Sequence, residues 1–130
     1  LPMWIFTKDA VISAVEFDPT NGYDSEGLIP PQERPPLMVR ARRREHLVNF
    51  GFSESKVVES ITADYPYRVF ISKTTFGEMM QRHAESIDYE NYKGEAADNL
   101  PYEMLTQIWA SAKVHLDPRE TPPSPDDVPF

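Results

Sequence analysis

Prolines and glycines break this chain in two places and confine regular structure to the rest. Residues 18–36 show neither the apolar period of a strand nor that of a helix. They contain seven prolines and glycines: Pro19, Gly22, Gly27, Pro30, Pro31, Pro35 and Pro36. Residues 117–130 are acidic, proline-rich and aperiodic, which is typical of an extended tail. The sequence therefore predicts a single α+β domain over residues 3–116, with 18–36 inserted as a long loop and 117–130 outside the core.

The apolar pattern of the remaining chain changes between the period of a strand and that of a helix. Alternating or β-rich runs predict four strands: 4–7, 10–17, 37–42 and 67–71. Apolar residues three and four positions apart predict three helices: 43–50, 73–87 and 101–116. Residues 53–62 fit either a helical turn or an edge strand. This order predicts an α+β fold, an antiparallel or mixed sheet of about four strands with three helices packed on one face.

The helix boundaries and apolar stripes can be predicted in more detail. Gly51 is expected to cap the first helix in a left-handed conformation, and Ser72 is expected to cap the start of the second. The second helix carries one apolar stripe: Phe76, Met79, Met80, His83 and Ile87. The last helix carries another: Tyr102, Leu105, Trp109, Ala112 and Leu116. Both stripes are predicted to pack on the core.

Charge and composition exclude several classes of function. The chain has 13 Lys and Arg against 21 Asp and Glu, a formal net charge of −8, which disfavours a general nucleic-acid binder. It has no cysteine, so disulfides, thiolate metal sites and cysteine nucleophiles are excluded. No apolar run reaches the roughly 18 residues that span a bilayer, and no signal-peptide pattern opens the chain. We expect a soluble, cytoplasmic protein without a membrane partner.

One stretch reverses the overall charge. Residues 34–44 contain five arginines and no acid, so this stretch carries +5 and the other residues together carry −13 of the net −8. Arg40, Arg42, Arg43 and Arg44 are the candidate anion-binding residues, because the planar guanidinium group matches phosphate and carboxylate. Alternation along the predicted strand points Arg40 and Arg42 off the same sheet face. The alternative is that these arginines pair with the chain's own surplus acids.

Two tyrosine-rich motifs flank the second predicted helix. Each combines an acid, two tyrosines and a cation, and together they give the candidate ligand- or partner-binding residues: Asp64, Tyr65, Tyr67, Arg68, Asp88, Tyr89, Tyr92 and Lys93. A strand and the helix after it normally pack antiparallel, so the start of one lies beside the end of the other. We therefore expect both motifs to converge at one corner of the domain. They form either a binding site or a structural corner whose tyrosine hydroxyls hold loop backbone.

The sequence lacks recognised catalytic and cofactor motifs. The three histidines, His46, His83 and His115, lie in separate predicted helices without a ligand at metal-binding spacing, so no metal or cofactor is predicted. No Gly-x-Ser-x-Gly occurs, and the five glycines are isolated, which argues against phosphate-binding loops. His83 is expected to be buried and hydrogen-bonded. In the tail, Arg119, Pro122 and Pro125 match the basic-x-x-Pro-x-x-Pro pattern of polyproline ligands.

Several segments carry a resemblance to a known family. They are Met-Trp-Ile-Phe-Thr at 3–7, Val-Arg-Ala-Arg at 39–42, Ala-Asp-Tyr-Pro-Tyr-Arg-Val at 63–69, Ile-Asp-Tyr-Glu-Asn-Tyr-Lys at 87–93 and the helix around Trp109. Through them the chain resembles a family of small uncharacterised bacterial proteins. The resemblance covers most of the chain outside residues 18–36 and 117–130. It implies no activity and no catalytic residue.

These observations favour a small non-enzymatic module, adaptor or regulatory, that binds a protein partner or self-associates. The first alternative is a binder of nucleic acid or an anionic ligand through the arginine stretch. The second alternative is a small hydrolase or transferase built from Asp64, Asp88 and His83. That alternative requires those three side chains to share one pocket, within hydrogen-bonding reach of a common substrate.

Overall fold

A computed structural model of the protein describes residues 2–17 and 36–119. The predicted loop, apart from Pro36, and the predicted tail from residue 120 lie outside the described residues. Five strands are present: β1 (Met3–Thr7), β2 (Ala10–Glu16), β3 (Leu37–Ala41), β4 (Val58–Glu59) and β5 (Tyr67–Ile71). Four α-helices are described: α1 (Arg44–Phe50), α2 (Lys73–Glu85), α3 (Tyr92–Ala96) and α4 (Tyr102–Leu116). A single turn of 3₁₀ helix (Glu54–Lys56) precedes β4.

The strands form one antiparallel sheet in the order β1-β2-β3-β5-β4. Thr7 pairs with Ala10, so Lys8 and Asp9 form a two-residue hairpin turn. The Asn49 side chain donates to the Asp9 carbonyl at 2.9 Å, which ties this turn to the end of α1. The predicted α+β class is confirmed. The sheet has five strands rather than four, because two residues of the ambiguous segment 53–62 form β4 on the edge of β5.

One face of the sheet packs against α1 and α2. Its core contains Ile12, Val39 and Val69 from the three central strands and Leu47 from α1, all at most 1% exposed. Burying such a side chain contributes roughly 1.5–3 kcal/mol each. As expected, Gly51 ends α1 with φ of 128°. Ser72 begins α2 by accepting the Thr75 amide at 3.1 Å, also as expected.

The other helices pack on the opposite face, which corrects the expectation of three helices on one face. Val11 lies between Ala10 and Ile12 on β2, so its side chain points away from α1 and α2. It packs against a second cluster of Ala96, Leu100 and Leu105 from α3, α4 and the link between them. The physical reason lies in β2, which is apolar on both faces and needs cover on both.

Two stripe predictions need correction. Helix α2 ends at Glu85, so Ile87 lies beyond it and is exposed, whereas Phe76 and Met79 are buried as predicted. In α4 only Leu105 is buried, and the rest of the predicted stripe is exposed. No helix in the described part of the chain is long and apolar enough to cross a membrane.

Candidate functional site

Two arginines face each other across neighbouring strands on the sheet face opposite α1 and α2. Arg40 of β3 is the register partner of Arg68 of β5, and it is also paired with Ser13 of β2. Directly opposed side chains have Cβ atoms about 4.5–5.5 Å apart, and like charges at that distance are destabilising. The register therefore brings two guanidinium groups side by side in an otherwise acidic protein.

Tyr65 organises these arginines. The guanidinium carbons of Arg40 and Arg42 lie 4.6 and 4.3 Å from the centre of its ring. The Arg68 Nε donates to the Tyr65 carbonyl at 3.3 Å, so the tyrosine is held through both its ring and its backbone. Such cation–π contacts contribute about 0.5–1 kcal/mol at exposed sites. We call Arg40, Arg42, Arg68 and Tyr65 the arginine–tyrosine cluster.

Arg40 is the most constrained member of the cluster. Its Nη2 donates to the Ser13 Oγ at 2.8 Å, and Ser13 is completely buried. Its Nε is also buried, and no acceptor in the described part of the chain reaches that atom. A buried donor of a charged group that lacks an acceptor has a free-energy cost.

The rest of the predicted arginine stretch lies elsewhere. Arg44 belongs to α1, lies 5.4 Å from the Tyr67 ring and forms a 3.5 Å ion pair with Glu59. Arg43 precedes α1 as its N-cap residue and is exposed. The stretch is thus divided between two places. Arg40 and Arg42 belong to the cluster around Tyr65, whereas Arg44 lies near Tyr67 and Glu59.

Arg40 and Arg42 do not pair with acids of the described part of the chain, which the alternative interpretation expected. Among the described residues, no carboxylate lies within 4.0 Å of the cationic nitrogens of Arg40, Arg42 or Arg43. The ring on which Arg40 and Arg42 stack is neutral, so no described residue compensates these two charges. An anion could therefore approach without displacing an internal carboxylate.

The second tyrosine motif has a different role. The Tyr92 hydroxyl donates to the Thr7 carbonyl at 2.8 Å and fastens α3 to the end of β1. Burial, with smaller contributions from Tyr89 and Asp9, raises the pKa of Tyr92 to about 12, so the phenol stays protonated and remains a donor. Tyr89 is half-buried and lines a cleft of about 410 Å³ with Lys8 and Asp9. Tyr92 thus matches the structural interpretation of its motif.

The two motifs share an end of the sheet but do not meet. The pairs Thr7 with Ala10 and Ala41 with Tyr67 place both at the same end, as the packing argument required. However, β1 and β5 are three strand spacings apart, about 14 Å. Within the described residues, no hydrogen bond, ion pair or ring contact joins the two motifs. The first motif instead joins the arginines.

The remaining predicted site residues do not join the arginine–tyrosine cluster. Asp64 and Asp88 are exposed in loops, and the Lys93 side chain lies outside the described part of the structure. The His83 Nε2 is hydrogen-bonded to the Phe50 carbonyl and its ring stacks on Phe50 at 4.2 Å, so His83 is held by structural contacts. No contact among the described residues brings Asp64, Asp88 and His83 together, and the hydrolase alternative gains no support from them.

His46 is a buried histidine whose role was not predicted. Its Nδ1 accepts a hydrogen bond from the Val11 amide at 3.1 Å. The pairing of β2 with β3 ends at Ser13 and Arg40, so the histidine serves a β2 amide beyond that pairing. Burial is the main cause that lowers the pKa of His46, and the Arg43 charge lowers it further. An amide can only donate, so Nδ1 must stay unprotonated for this bond to exist. No group of three or more potential metal ligands is present among the described residues.

Two features of the site escaped sequence reasoning. Ser13 supplies the acceptor for Arg40, and its signal was a single hydroxyl in an otherwise apolar run. A groove of about 1220 Å³ between β1 and α4, with Phe6 and Trp109 on its walls, was missed because the α4 stripe was assigned to the core. Neither feature has a spacing motif, since both arise from the packing of distant segments.

The segments that carry the resemblance to a bacterial family lie in separate parts of this fold. They form β1, β3, the start of β5, the link from α2 to α3, and α4. Together they supply both Tyr65, which contacts Arg40 and Arg42, and Tyr92, which bonds to the Thr7 carbonyl. The resemblance stays a prediction, because no protein-family model, curated protein or solved structure matches this chain.

Proposed function

We propose that this protein is a small non-enzymatic interaction module that binds an acidic segment of a partner protein at the arginine–tyrosine cluster. The observation that carries the proposal is the pair of guanidinium groups, Arg40 and Arg42, that stack on Tyr65 with no carboxylate within 4.0 Å among the described residues. Carboxylates of a bound segment would neutralise these two charges. The planar guanidinium groups suit bidentate contact with such carboxylates.

The charge distribution favours a short acidic segment over a nucleic acid. Outside residues 34–44 the chain carries a formal −13, which repels a long polyanion that extends beyond the cluster. A peptide with a few carboxylates can contact the cluster alone. At physiological salt, charges farther away than about 8 Å are largely screened, so a compact ligand experiences mainly the local positive field.

The proposal can be tested with a fluorescein-labelled peptide of alternating Glu and Asp, measured by fluorescence anisotropy on the full chain. We expect Arg42→Gln to weaken binding about tenfold, because loss of one charge-assisted contact corresponds to about 1.4 kcal/mol. Tyr65→Leu removes the ring that positions Arg40 and Arg42, and it is expected to weaken binding to a similar degree. Higher salt should weaken binding to the wild-type protein.

The matched control is Arg82→Gln, because Arg82 is an exposed arginine near the end of α2 and outside the cluster. This variant should bind the peptide as the wild type does. A peptide of alternating Gln and Asn should not bind. Equal losses in Arg42→Gln and Arg82→Gln would refute the assignment of the site. Tighter binding to a single-stranded oligonucleotide than to the acidic peptide would overturn the choice of a protein segment and favour the nucleic-acid alternative.

A further inference from the structure

Strand β1 is an edge strand without the features that usually protect an edge. In the described part of the chain only β2 pairs with it. Folded proteins shield such edges from other chains with charged side chains, proline, bulges or short strands. Met3–Thr7 contains no charged residue and no proline, and it pairs with β2 residue by residue, without a bulge. By contrast β4, at the other edge, has only two residues, one of which is Glu59. β1 is therefore the edge that can accept another strand.

Two hydrogen bonds show how the backbone of β2 is oriented. The Phe17 amide donates to the Pro36 carbonyl at 2.8 Å, which continues the pairing of β2 with β3. The Val11 amide donates to His46, beyond the other end of that pairing. Backbone groups alternate between the two sides of a strand. Odd-numbered residues of β2 therefore direct their amides toward β3, and even-numbered residues direct theirs toward β1.

The same alternation directs backbone groups of Trp4 and Phe6 away from the sheet. Ile5 is the register partner of Ile12, so its amide and carbonyl bond to β2. The amides and carbonyls of its two neighbours point to the outer side, where the described residues place no strand. Phe6 lies opposite Val11, so both aromatic side chains stand on the face that carries α3 and α4. Trp4 is 65% and Phe6 40% exposed.

We propose that this protein forms a homodimer in which the β1 strands of two copies pair antiparallel and join the two sheets into one. The inference concerns a different surface from the arginine–tyrosine cluster and does not depend on the proposed function. Two-fold pairing is the commonest symmetry of homo-oligomers, and it covers the unprotected edge of both copies at once. Each copy carries a formal −8, and the pairing brings the two together along an uncharged strand.

The strand is self-complementary about Ile5, which supports a second copy as the occupant. An antiparallel register with the two Ile5 residues opposite each other places Trp4 of each chain opposite Phe6 of the other. Each such pair exchanges both of its backbone hydrogen bonds, so every outward donor and acceptor of these residues is satisfied. Aromatic residues opposite each other across strands also attract. A register centred on Trp4 would instead place Phe6 opposite Pro2, which has no amide to donate.

Amide hydrogen exchange of the full chain, followed by nuclear magnetic resonance at increasing protein concentration, tests the proposal. The amides of Trp4 and Phe6 should exchange rapidly in dilute solution and become protected as the concentration rises to the millimolar range. The Ile5 amide should be protected throughout, because it bonds to β2. Sedimentation equilibrium over the same concentrations should show the mass rise from 14.9 kDa toward twice that value.

A pair of charged variants tests the register. Trp4→Lys should weaken self-association about tenfold, because each dimer loses both of its Trp–Phe pairs, and Phe6→Glu should act similarly. Mixed in equal amounts, the two variants should associate more tightly than either does alone. The introduced ammonium and carboxylate then oppose each other, while the second Trp–Phe pair is intact. The matched control is Val58→Glu, at an exposed apolar residue of the opposite edge strand, and it should associate as the wild type does.

Several results would overturn the proposal. A mass of one chain at every concentration would exclude the dimer. Protection of Trp4 and Phe6 that does not change with concentration would show that the same chain covers the edge. Equal weakening by Trp4→Lys and Val58→Glu would exclude β1 as the interface, and a mixture no tighter than its components would exclude the register centred on Ile5. The wild-type exchange and mass measurements decide between dimer and monomer even if a variant fails to fold.

Discussion

Ser13→Ala should destabilise the protein far more than an exposed serine would, because it removes the acceptor for Arg40. The Arg40 Nη2 lies 2.8 Å from the Ser13 Oγ, and Ser13 is completely buried. A hydrogen bond to a charged group contributes about 1.5–3 kcal/mol, and the Arg40 Nε already lacks an acceptor in the described part of the chain. We therefore expect the free energy of unfolding to fall by about 1.5–3 kcal/mol. Urea denaturation followed by far-ultraviolet circular dichroism measures this change.

A double-mutant cycle separates the hydrogen bond from packing. Arg40→Met keeps an unbranched stem but removes the donor, so Ser13→Ala should then cost no more than about 0.5 kcal/mol. The coupling energy between the two positions should exceed about 1 kcal/mol. If Ser13→Ala leaves the wild-type protein within about 0.5 kcal/mol of its original stability, Arg40 has another way to satisfy its charge. The Ser13 hydroxyl would then not be the acceptor on which the Arg40 charge depends.

Three further predictions concern the scaffold around the site. His46→Asn keeps an acceptor for the Val11 amide but cannot titrate. The pKa of His46 is lowered on folding, so the free energy of unfolding of the wild-type protein should decrease as pH falls through about 6.5. Urea denaturation at several pH values should show a smaller decrease in the variant. His83→Phe keeps a ring on Phe50 but removes the donor to its carbonyl, and thermal unfolding should show a loss of about 1–3 kcal/mol; an unchanged melting temperature would contradict the contact. Gly51→Ala should cost about 1–3 kcal/mol in urea denaturation because of the positive φ of 128°, and a neutral result would argue against that conformation.

Local features of the fold were predictable because they depend on neighbouring residues. The Gly51 cap and the Ser72 cap each follow from short-range backbone chemistry. The side of the sheet to which a late helix returns depends on long-range packing. That is why the last predicted helix, α4, was assigned to the wrong face.

The candidate site could be predicted only in part. Alternation along β3 correctly aimed Arg40 and Arg42 away from the α1 face. The sequence does not contain the register that opposes Arg40 to Arg68, or the strand order that separates Tyr65 from Tyr92. A strand inserted between two others increases the distance between those two strands, but it leaves the apolar pattern of each strand unchanged. The expected convergence of the motifs therefore held for the end of the sheet but not across it.

The central claim is that the arginine–tyrosine cluster receives carboxylates, and a titration by nuclear magnetic resonance tests it most directly. The side-chain Nε–H signals of Arg40, Arg42 and Arg68 are followed while the unlabelled Glu and Asp peptide is added to the full chain. The account predicts saturable shifts at these three signals and at Tyr65, with Arg82 unchanged. Unchanged signals at the cluster, or equal shifts with the Gln and Asn peptide, would contradict it.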